Sequence, residues 1–300
     1  MALPNFLIIG AAKAGTTSLY DWLNQHPQIY MTPIKETNFF AFEGEKISYP
    51  KGSISEGYLD GFKTSFESYM EQFQGVTNEI AIGEASPSYL YHAKAAARIK
   101  YYCPDVKLIA ILRDPVERAY SQFLHHAREG FENCLDFSAA LREEDNRILN
   151  KWWWGYFYVD GGFYYTQLQR YFEKFDSSKI KVYLYEDLRS NRYDLIKDIF
   201  QFLEVDDNFI PDTSTKYNVT GIPKNQLLHE FLSKPNLITT SVKYLIPRPL
   251  RQKLINDIRN SNLAKPQLTQ PLRQQLISIY REDILNLQEL IQRDLSEWLK

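Results

Sequence analysis

The sequence predicts an α/β fold with a mainly parallel central sheet flanked by helices. Three observations predict it. First, apolar runs at Phe6–Ile9, Val106–Leu112 and Ile180–Tyr185 have the unbroken hydrophobicity of strands buried on both faces. Second, helical spacing follows each run, the alternation expected of parallel strands joined by crossover helices. Third, the first run leads into Gly10-Ala11-Ala12-Lys13-Ala14-Gly15-Thr16-Thr17-Ser18. Small residues around one lysine, then three hydroxyls opening a helix, make a P-loop-like anion cradle: backbone N–H groups point outward, and the helix dipole favours negative charge.

Each element follows from local signals. Thr16–Gln25 reads as a helix with Leu19, Trp22 and Leu23 on one face, stopped by Pro27. Residues 43–65 are rich in Gly, Ser and Lys and read as a surface insertion, a candidate lid. The second strand ends in Arg113-Asp114-Pro115. Val116, Ala119, Tyr120 and Phe123 mark the helix after it, with Pro115 suited to its first turn. The third strand ends in Glu186-Asp187-Leu188, and Tyr193–Leu203 reads as another helix. Gln270–Leu299 is a long amphipathic region carrying Leu272, Leu276, Ile279, Leu287, Leu290, Leu295 and Trp298. No repeat or low-complexity linker interrupts the chain, so one domain is expected over 1–300, with a helical C-terminal portion at 225–300. Ligands of such sheets bind at the carboxyl ends of strands, which directs attention to Gly10–Gly15 and to Arg113.

Composition narrows the function. With 300 residues, 44% hydrophobic and 24% charged, the chain is ordinary for a globular protein. A net charge of -2 gives no reason to expect nucleic acid or a membrane surface as partner. Any anion site must be built locally. Aromatics reach 15%, with 21 Tyr and 18 Phe, enough for aromatic-lined pockets as well as core. The two cysteines, Cys103 and Cys134, read as free, mostly buried thiols, and no His/Cys cluster has metal-ligand spacing. No stretch approaches the roughly 20 apolar residues of a membrane span. The first strand starts near Asn5, leaving no room upstream for an anchor, so a cytoplasmic protein is expected.

The candidate chemistry sits at the two strand ends. A nucleotide-triphosphate P-loop places its lysine directly after the last glycine. Here Thr16 follows Gly15, and the lysine is Lys13. The loop therefore suits a phosphate-like group better than the β/γ-phosphates of ATP. Lys13 is a point charge able to stabilise a leaving oxygen; otherwise it is a solvated surface lysine. One of Thr16, Thr17 and Ser18 is expected to cap the helix, and three in a row tilt toward anion binding. Arg113 either pairs with Asp114 or Glu117, or faces the crevice, where its planar fork suits a phosphate. Ser121 alone would read as a surface serine. Glu36, in Lys35-Glu36-Thr37-Asn38-Phe39-Phe40, is either a carboxylate partly desolvated by aromatics and usable as a general base, or an ion-pair partner of Lys35 or a distant arginine.

Together these segments resemble the sulfotransferases that use 3′-phosphoadenosine-5′-phosphosulfate (PAPS). Ala11–Leu19 resembles the family's 5′-phosphosulfate loop, and Leu112–Ser121 its 3′-phosphate motif. Tyr185-Glu186-Asp187-Leu188 resembles a further segment whose tyrosine lies near the adenine. The likeness keeps its order from about Asn5 to Trp298, and two anion motifs about 100 residues apart make it specific. It implies the sulfotransferase version of the P-loop NTPase-like fold. It implies that Lys13, Ala14, Gly15, Thr16, Thr17 and Ser18 hold the 5′ side, that Arg113 and Ser121 hold the 3′-phosphate, and that Tyr185 lies near the base. Lys224, in Asn218–Asn225, becomes a further 3′-phosphate contact. The glycan-type branch uses a glutamate in Lys-Glu-x-x-Phe-Phe as general base, which makes Glu36 the base, with Lys13 as its catalytic partner. PAPS is then co-substrate and the adenosine bisphosphate (PAP) product. No metal is called for, since sulfate carries less charge than phosphate.

Two departures bear on the acceptor. Heparan-type enzymes carry an aspartate just after Phe-Phe, where this chain has Ala41, and a lysine in Glu-Lys-x-Pro, where it has Glu84-Ala85-Ser86-Pro87. The resemblance is therefore to soluble bacterial members, including tailoring enzymes of natural products, with a small-molecule acceptor as partner. A carbohydrate acceptor is the alternative. A metabolite kinase or a non-catalytic PAP-binding protein would be different classes. The histidine base of phenol and steroid sulfotransferases has no counterpart; His125 and His126 read as helix surface or pocket wall. Trp152-Trp153-Trp154 either lines an acceptor pocket or packs on the core. A monomer and a homodimer are equally open.

Overall fold

The structure is a computed structural model that describes residues 3–50, 52–54, 57–214, 221–224, 262–264 and 266–300. Five parallel strands form its central sheet: β1 (Phe6–Gly10), β2 (Ile29–Met31), β3 (Ala81–Ala85), β4 (Lys107–Leu112) and β5 (Ile180–Leu184), in the order β2-β3-β1-β4-β5. β1 is fully buried and pairs Phe6–Ile8 with Gly83–Ala85 on one side and with Lys107–Ile109 on the other. The chain leaves β1 toward β2 and leaves β4 toward β5, in opposite directions along the sheet. The crevice between the carboxyl ends of β1 and β4 is thus the topological switch point, where ligands of such sheets bind.

The three apolar runs become β1, β4 and β5 as expected, except that Tyr185 starts a helix (Tyr185–Ser190) instead of ending the strand. β2 and β3 carry no comparable signal. β2 has three residues, and β3 interrupts its apolar character with Gly83 and Glu84. Packing explains Gly83: a Cβ there would lie 2.1 Å from the Phe6 ring, so only glycine lets β3 lie beside β1.

The helices also follow the sequence pattern. Thr16–Leu23 (α1) buries Leu19, Trp22 and Leu23 against the sheet. Pro115–Glu129 (α2) begins with Pro115, is capped by Asp114 Oδ1 accepting from Val116 N at 2.8 Å, and ends at Gly130 in the left-handed region. Arg192–Leu203 and Gln270–Ile291 (α3) complete the set that the sequence located. Of the expected helical portion at 225–300, residues 225–261 and 265 lie outside the described residues. Segment 43–65 forms a single 3-10 turn, Tyr58–Gly61, among its described residues. It is tied to the body by Arg98, which pairs with Glu43 and Glu45. Cys103 is buried, its thiol pushed up to about 12 chiefly by that burial, and Cys134 is half-buried; both are free thiols.

The start of α1 departs from expectation. None of Thr16, Thr17 and Ser18 caps the helix. Gly15 occupies the N-cap at φ +101° with no side-chain cap, so the first N–H groups are left open. That backbone conformation favours glycine, and a Cβ would meet Leu188 Cδ1 at 3.0 Å. Gly15→Ala is accordingly expected to cost about 1–2 kcal/mol, read as a lower urea midpoint. An unchanged midpoint would mean that the loop relaxes without strain.

Candidate active site

The loop between β1 and α1 supplies the first half of the site. Lys13 stands in the left-handed region at φ +67°. Its ammonium is pushed down to about 8, first by burial and then by Arg128, with Arg113 and Lys35 adding to the effect and Glu36 opposing it. Ala12, Lys13, Gly15, Thr16 and Thr17 line one side of a cavity. Ala14 is fully buried beneath the loop. A half-buried lysine with a weakened hold on its proton, beside uncapped helical N–H groups, fits an anionic phosphate or sulfate oxygen: the anion would supply the countercharge the lysine lacks.

Glu36 faces Lys13 across the same cavity. Its position is set by a buried network. Glu36 N donates to Ala85 O at 2.9 Å, and Asn38 Nδ2 donates to Glu36 O at 2.6 Å. Asn38 N in turn donates to Ser86 Oγ, and Ser86 Oγ donates to Glu84 Oε1 at 2.5 Å. Glu84 is fully buried and also accepts from Thr37 and Tyr89 hydroxyls. Burial raises its carboxyl, and the three hydroxyl donors work against that rise. The network holds both Glu36 and Asn38 at positive φ, +66° and +55°. Of the two alternatives for Glu36, the structure shows the ion pair with Lys35. Phe39 and Phe40 turn wholly into the core, stacking around Tyr69, and the Glu36 side chain is 38% exposed and ion-paired with Lys35. Ala41 is buried, its carbonyl held by Arg98. Ala85 lies in β3, and Pro87 lines the cavity.

Helix α2, the aromatic segment around Trp153 and the 3-10 turn at Tyr58 make the remaining wall: Gln122, His125, Trp153, Trp154 and Tyr58. His125 is thus pocket wall and His126 is fully buried; neither is helix surface. Arg128 donates to His125 Nδ1 at 3.2 Å, and burial, with Lys13 next, holds His125 neutral. The tryptophans divide their roles. Trp153 lies between Tyr58, at 4.6 Å between ring centroids, and His126, at 5.5 Å. Trp154 stacks on Tyr91, and Trp152 packs away from the cavity on Arg147 and Tyr156. Tyr58 and Gln122 escaped the sequence reading. Tyr58 carries no local signal in its irregular segment. Gln122 directly follows Ser121, and only the helix geometry turns it into the cavity.

The segment read as a second anion motif sits beside the first. Arg113 donates to Lys13 O at 3.3 Å, stacks on the Tyr185 ring at 4.9 Å and pairs loosely with Glu117 at 3.4 Å. Asp114, the other expected partner, is taken by the cap of α2 and by Arg273 of α3 at 2.7 Å. Ser121 is nearly buried and is not the surface serine its isolated context suggests. Ser18 is half-buried on α1. The described part of the Asn218–Asn225 segment is Gly221–Lys224; Lys224 is exposed, its N donating to Asn262 O. Asn218, Val219, Thr220 and Asn225 lie outside the described residues. Arg113, Ser121, Tyr185 and Lys224 are not part of the cavity wall that holds Lys13 and Glu36. Arg113 and Tyr185 lie against the loop between β1 and α1.

A family model described as "Sulfotransferase family" matches residues 4–209, spanning both anion motifs and Glu36. The chain belongs to the sulfotransferase family of enzymes. A crystal structure of a sulfotransferase from Alicyclobacillus acidocaldarius is similar over 100% of both chains, at 31% identity and a TM-score of 0.78. The parallel sheet and the loop after β1 are thus the P-loop-like sulfotransferase fold. Carbohydrate sulfotransferase 15 of Mus musculus is 29% identical over 253 residues, covering 68% of this chain and 44% of that protein. Bifunctional heparan sulfate N-deacetylase/N-sulfotransferase 4 of Mus musculus is 28% identical over 216 residues, covering 68% of this chain and 22% of that protein. The chain therefore spans less than half the length of these curated relatives. No helix among the described residues is long and apolar enough to cross a membrane.

Proposed function

We propose that this sulfotransferase moves a sulfuryl group from PAPS to a hydroxyl or amine of a small-molecule acceptor. The observation that carries the reading is the convergence of Lys13, the open start of α1 and Glu36 on one cavity with an aromatic far wall. When bound, PAPS supplies the sulfuryl group and leaves as PAP. Glu36 takes the acceptor's proton as the new oxygen–sulfur or nitrogen–sulfur bond forms. Lys13 and the N–H groups of Thr16, Thr17 and Ser18 stabilise charge on the oxygen that departs. Positioning and electrostatics supply most of the rate, as in phosphoryl transfer. Arg113, with Ser121 and Lys224, holds the 3′-phosphate, and Tyr185 supports Arg113 beside the adenine. The whole of 1–300 acts as one sulfotransferase domain, with segment 43–65 closing the acceptor side through Tyr58.

A natural-product acceptor is the primary reading, supported by Ala41 and Ala85 where heparan-type enzymes carry charged residues. The carbohydrate sulfotransferases among its relatives support a sugar as the alternative. Titration calorimetry with PAP, followed by an acceptor screen with labelled PAPS, tests the proposal; magnesium-dependent ATP turnover without sulfate transfer would replace it. Arg113→Ala is expected to weaken binding of adenosine 3′,5′-bisphosphate about ten- to a hundredfold. An analogue lacking the 3′-phosphate should lose far less. Equal losses would make Arg113 structural.

A further inference from the structure

Behind the acceptor side of the cavity runs a chain of buried polar groups that the transfer chemistry does not use. Gln122 lines the cavity, and its Nε2 lies 2.7 Å from His126 Nε2, one helical turn further along α2. His126 Nδ1 lies 3.3 Å from the Tyr158 hydroxyl, which is 2.9 Å from Glu132 Oε2. Glu132 is held bidentately by Arg147, at 2.7 and 3.0 Å. All five side chains are almost entirely buried, and Trp153 stacks on the His126 ring.

The direction of every proton in this chain can be worked out from its anchored end. A carboxylate clamped by Arg147 accepts only, so Tyr158 gives it its one proton. Having spent that proton, Tyr158 must accept from His126, which places the imidazole proton on Nδ1. Burial, with Lys13 next, pushes His126 down to about 3, so the ring is neutral and its Nε2 is a bare acceptor. Only the amide nitrogen of Gln122 satisfies it. Gln122 Oε1 is then the polar atom left over, and among the described residues it has no hydrogen-bond partner.

We propose that Gln122 is the residue that reads the acceptor: it presents a fixed carbonyl oxygen to the cavity and selects a molecule carrying a second O–H or N–H donor beside the group that is sulfated. Trp153, Trp154 and Tyr58 line the same cavity and give it an aromatic wall beside Gln122. One carbonyl acceptor on an aromatic wall matches a polyhydroxylated ring better than a lone phenol. Arg147, Glu132, Tyr158 and His126 act as positioning residues, since they decide which end of the amide faces the acceptor. This deepens the proposed sulfuryl transfer and rests on it for the acceptor, but not for the orientation of Gln122.

Two measurements test it. With only five histidines in the chain, nitrogen-15 NMR of histidine-labelled protein, assigned with His126→Asn, reports the His126 tautomer without any substrate. A proton on Nδ1 is expected, unchanged between about pH 5 and 8; a proton on Nε2 would turn the amide around and overturn the proposal. The second measurement uses 4-nitrophenyl galactoside, glucoside and N-acetylgalactosaminide with their monodeoxy analogues. In the wild type, one deoxy analogue should lose about tenfold in kcat/KM against its parent, and Gln122→Met should erase that difference. A penalty that falls equally on parent and deoxy analogues would make Gln122 merely structural. No sulfated glycoside from an enzyme that still binds PAP and sulfates a simple phenol would reject the polyhydroxylated acceptor, while failure to bind PAP at all would reject the transferase reading instead.

Discussion

Replacing Glu36 by glutamine is expected to lower turnover by about a hundred- to ten-thousandfold, the contribution of a positioned general base. Affinity for PAP should stay within a few-fold. The substitution keeps the side chain's shape, and the backbone bonds that hold residue 36 at φ +66° do not involve the carboxylate. The Glu36 side chain pairs with Lys35, which stays beside it to balance charge during the transfer. Glu36 also supports the positive charge on Lys13, so Glu36→Gln should shift the pH dependence of PAP binding downward. Pre-steady-state turnover and calorimetry on the same variant give both readings. Near-normal turnover would remove Glu36 as the base.

Lys13 carries the second large effect. On the proposed mechanism, Lys13→Met removes a cation from the place where negative charge develops, and the expected result is a loss of about a hundred- to a thousandfold in kcat. The lysine also makes a prediction about pH. Its ammonium sits near 8 because burial comes first among the causes that lower it, with Arg128 next. An anion binds the protonated form. Below about pH 8 that form is already present. Above it, binding must draw a proton from solvent, so PAP affinity should fall as pH rises, by up to tenfold per unit. Calorimetry in buffers of different ionisation enthalpy should detect the proton uptake. Lys13→Arg keeps its charge throughout and should flatten the profile. A wild-type affinity that stays level from pH 7 to 10 would mean that Lys13 does not meet the anion.

Legibility in the sequence tracked the range of the interaction. β1, β4 and β5 were readable because strands buried on both faces leave continuous apolar runs. α1 and α2 were readable because one buried face imposes helical spacing, and Pro115 marks a start. β3 was not, because Gly83 answers to the Phe6 ring on another strand and Glu84 to hydroxyls of Thr37, Ser86 and Tyr89. The cap of α1 was misread for a related reason: composition favours a hydroxyl, while the sharp turn out of β1 demands a left-handed residue and so selects Gly15. Arg113 was left open between Asp114, Glu117 and the crevice, and the choice depended on Arg273, which arrives from the far end of the chain to occupy Asp114.

By itself, the sequence determined the fold class and the family and singled out Lys13, Arg113 and Glu36 as candidates, because strand patterning and glycine-rich loops are local and their residue types are constrained by chemistry. The tertiary structure alone decided what surrounds Lys13 and Glu36. It brought Tyr58, Gln122, His125, Trp153 and Trp154 to the cavity that holds Lys13 and Glu36. It also left Glu36 half-exposed while its aromatic neighbours went into the core. Those residues come from three separate segments whose only connection is that they pack together, and packing over such distances leaves no period or spacing in the chain.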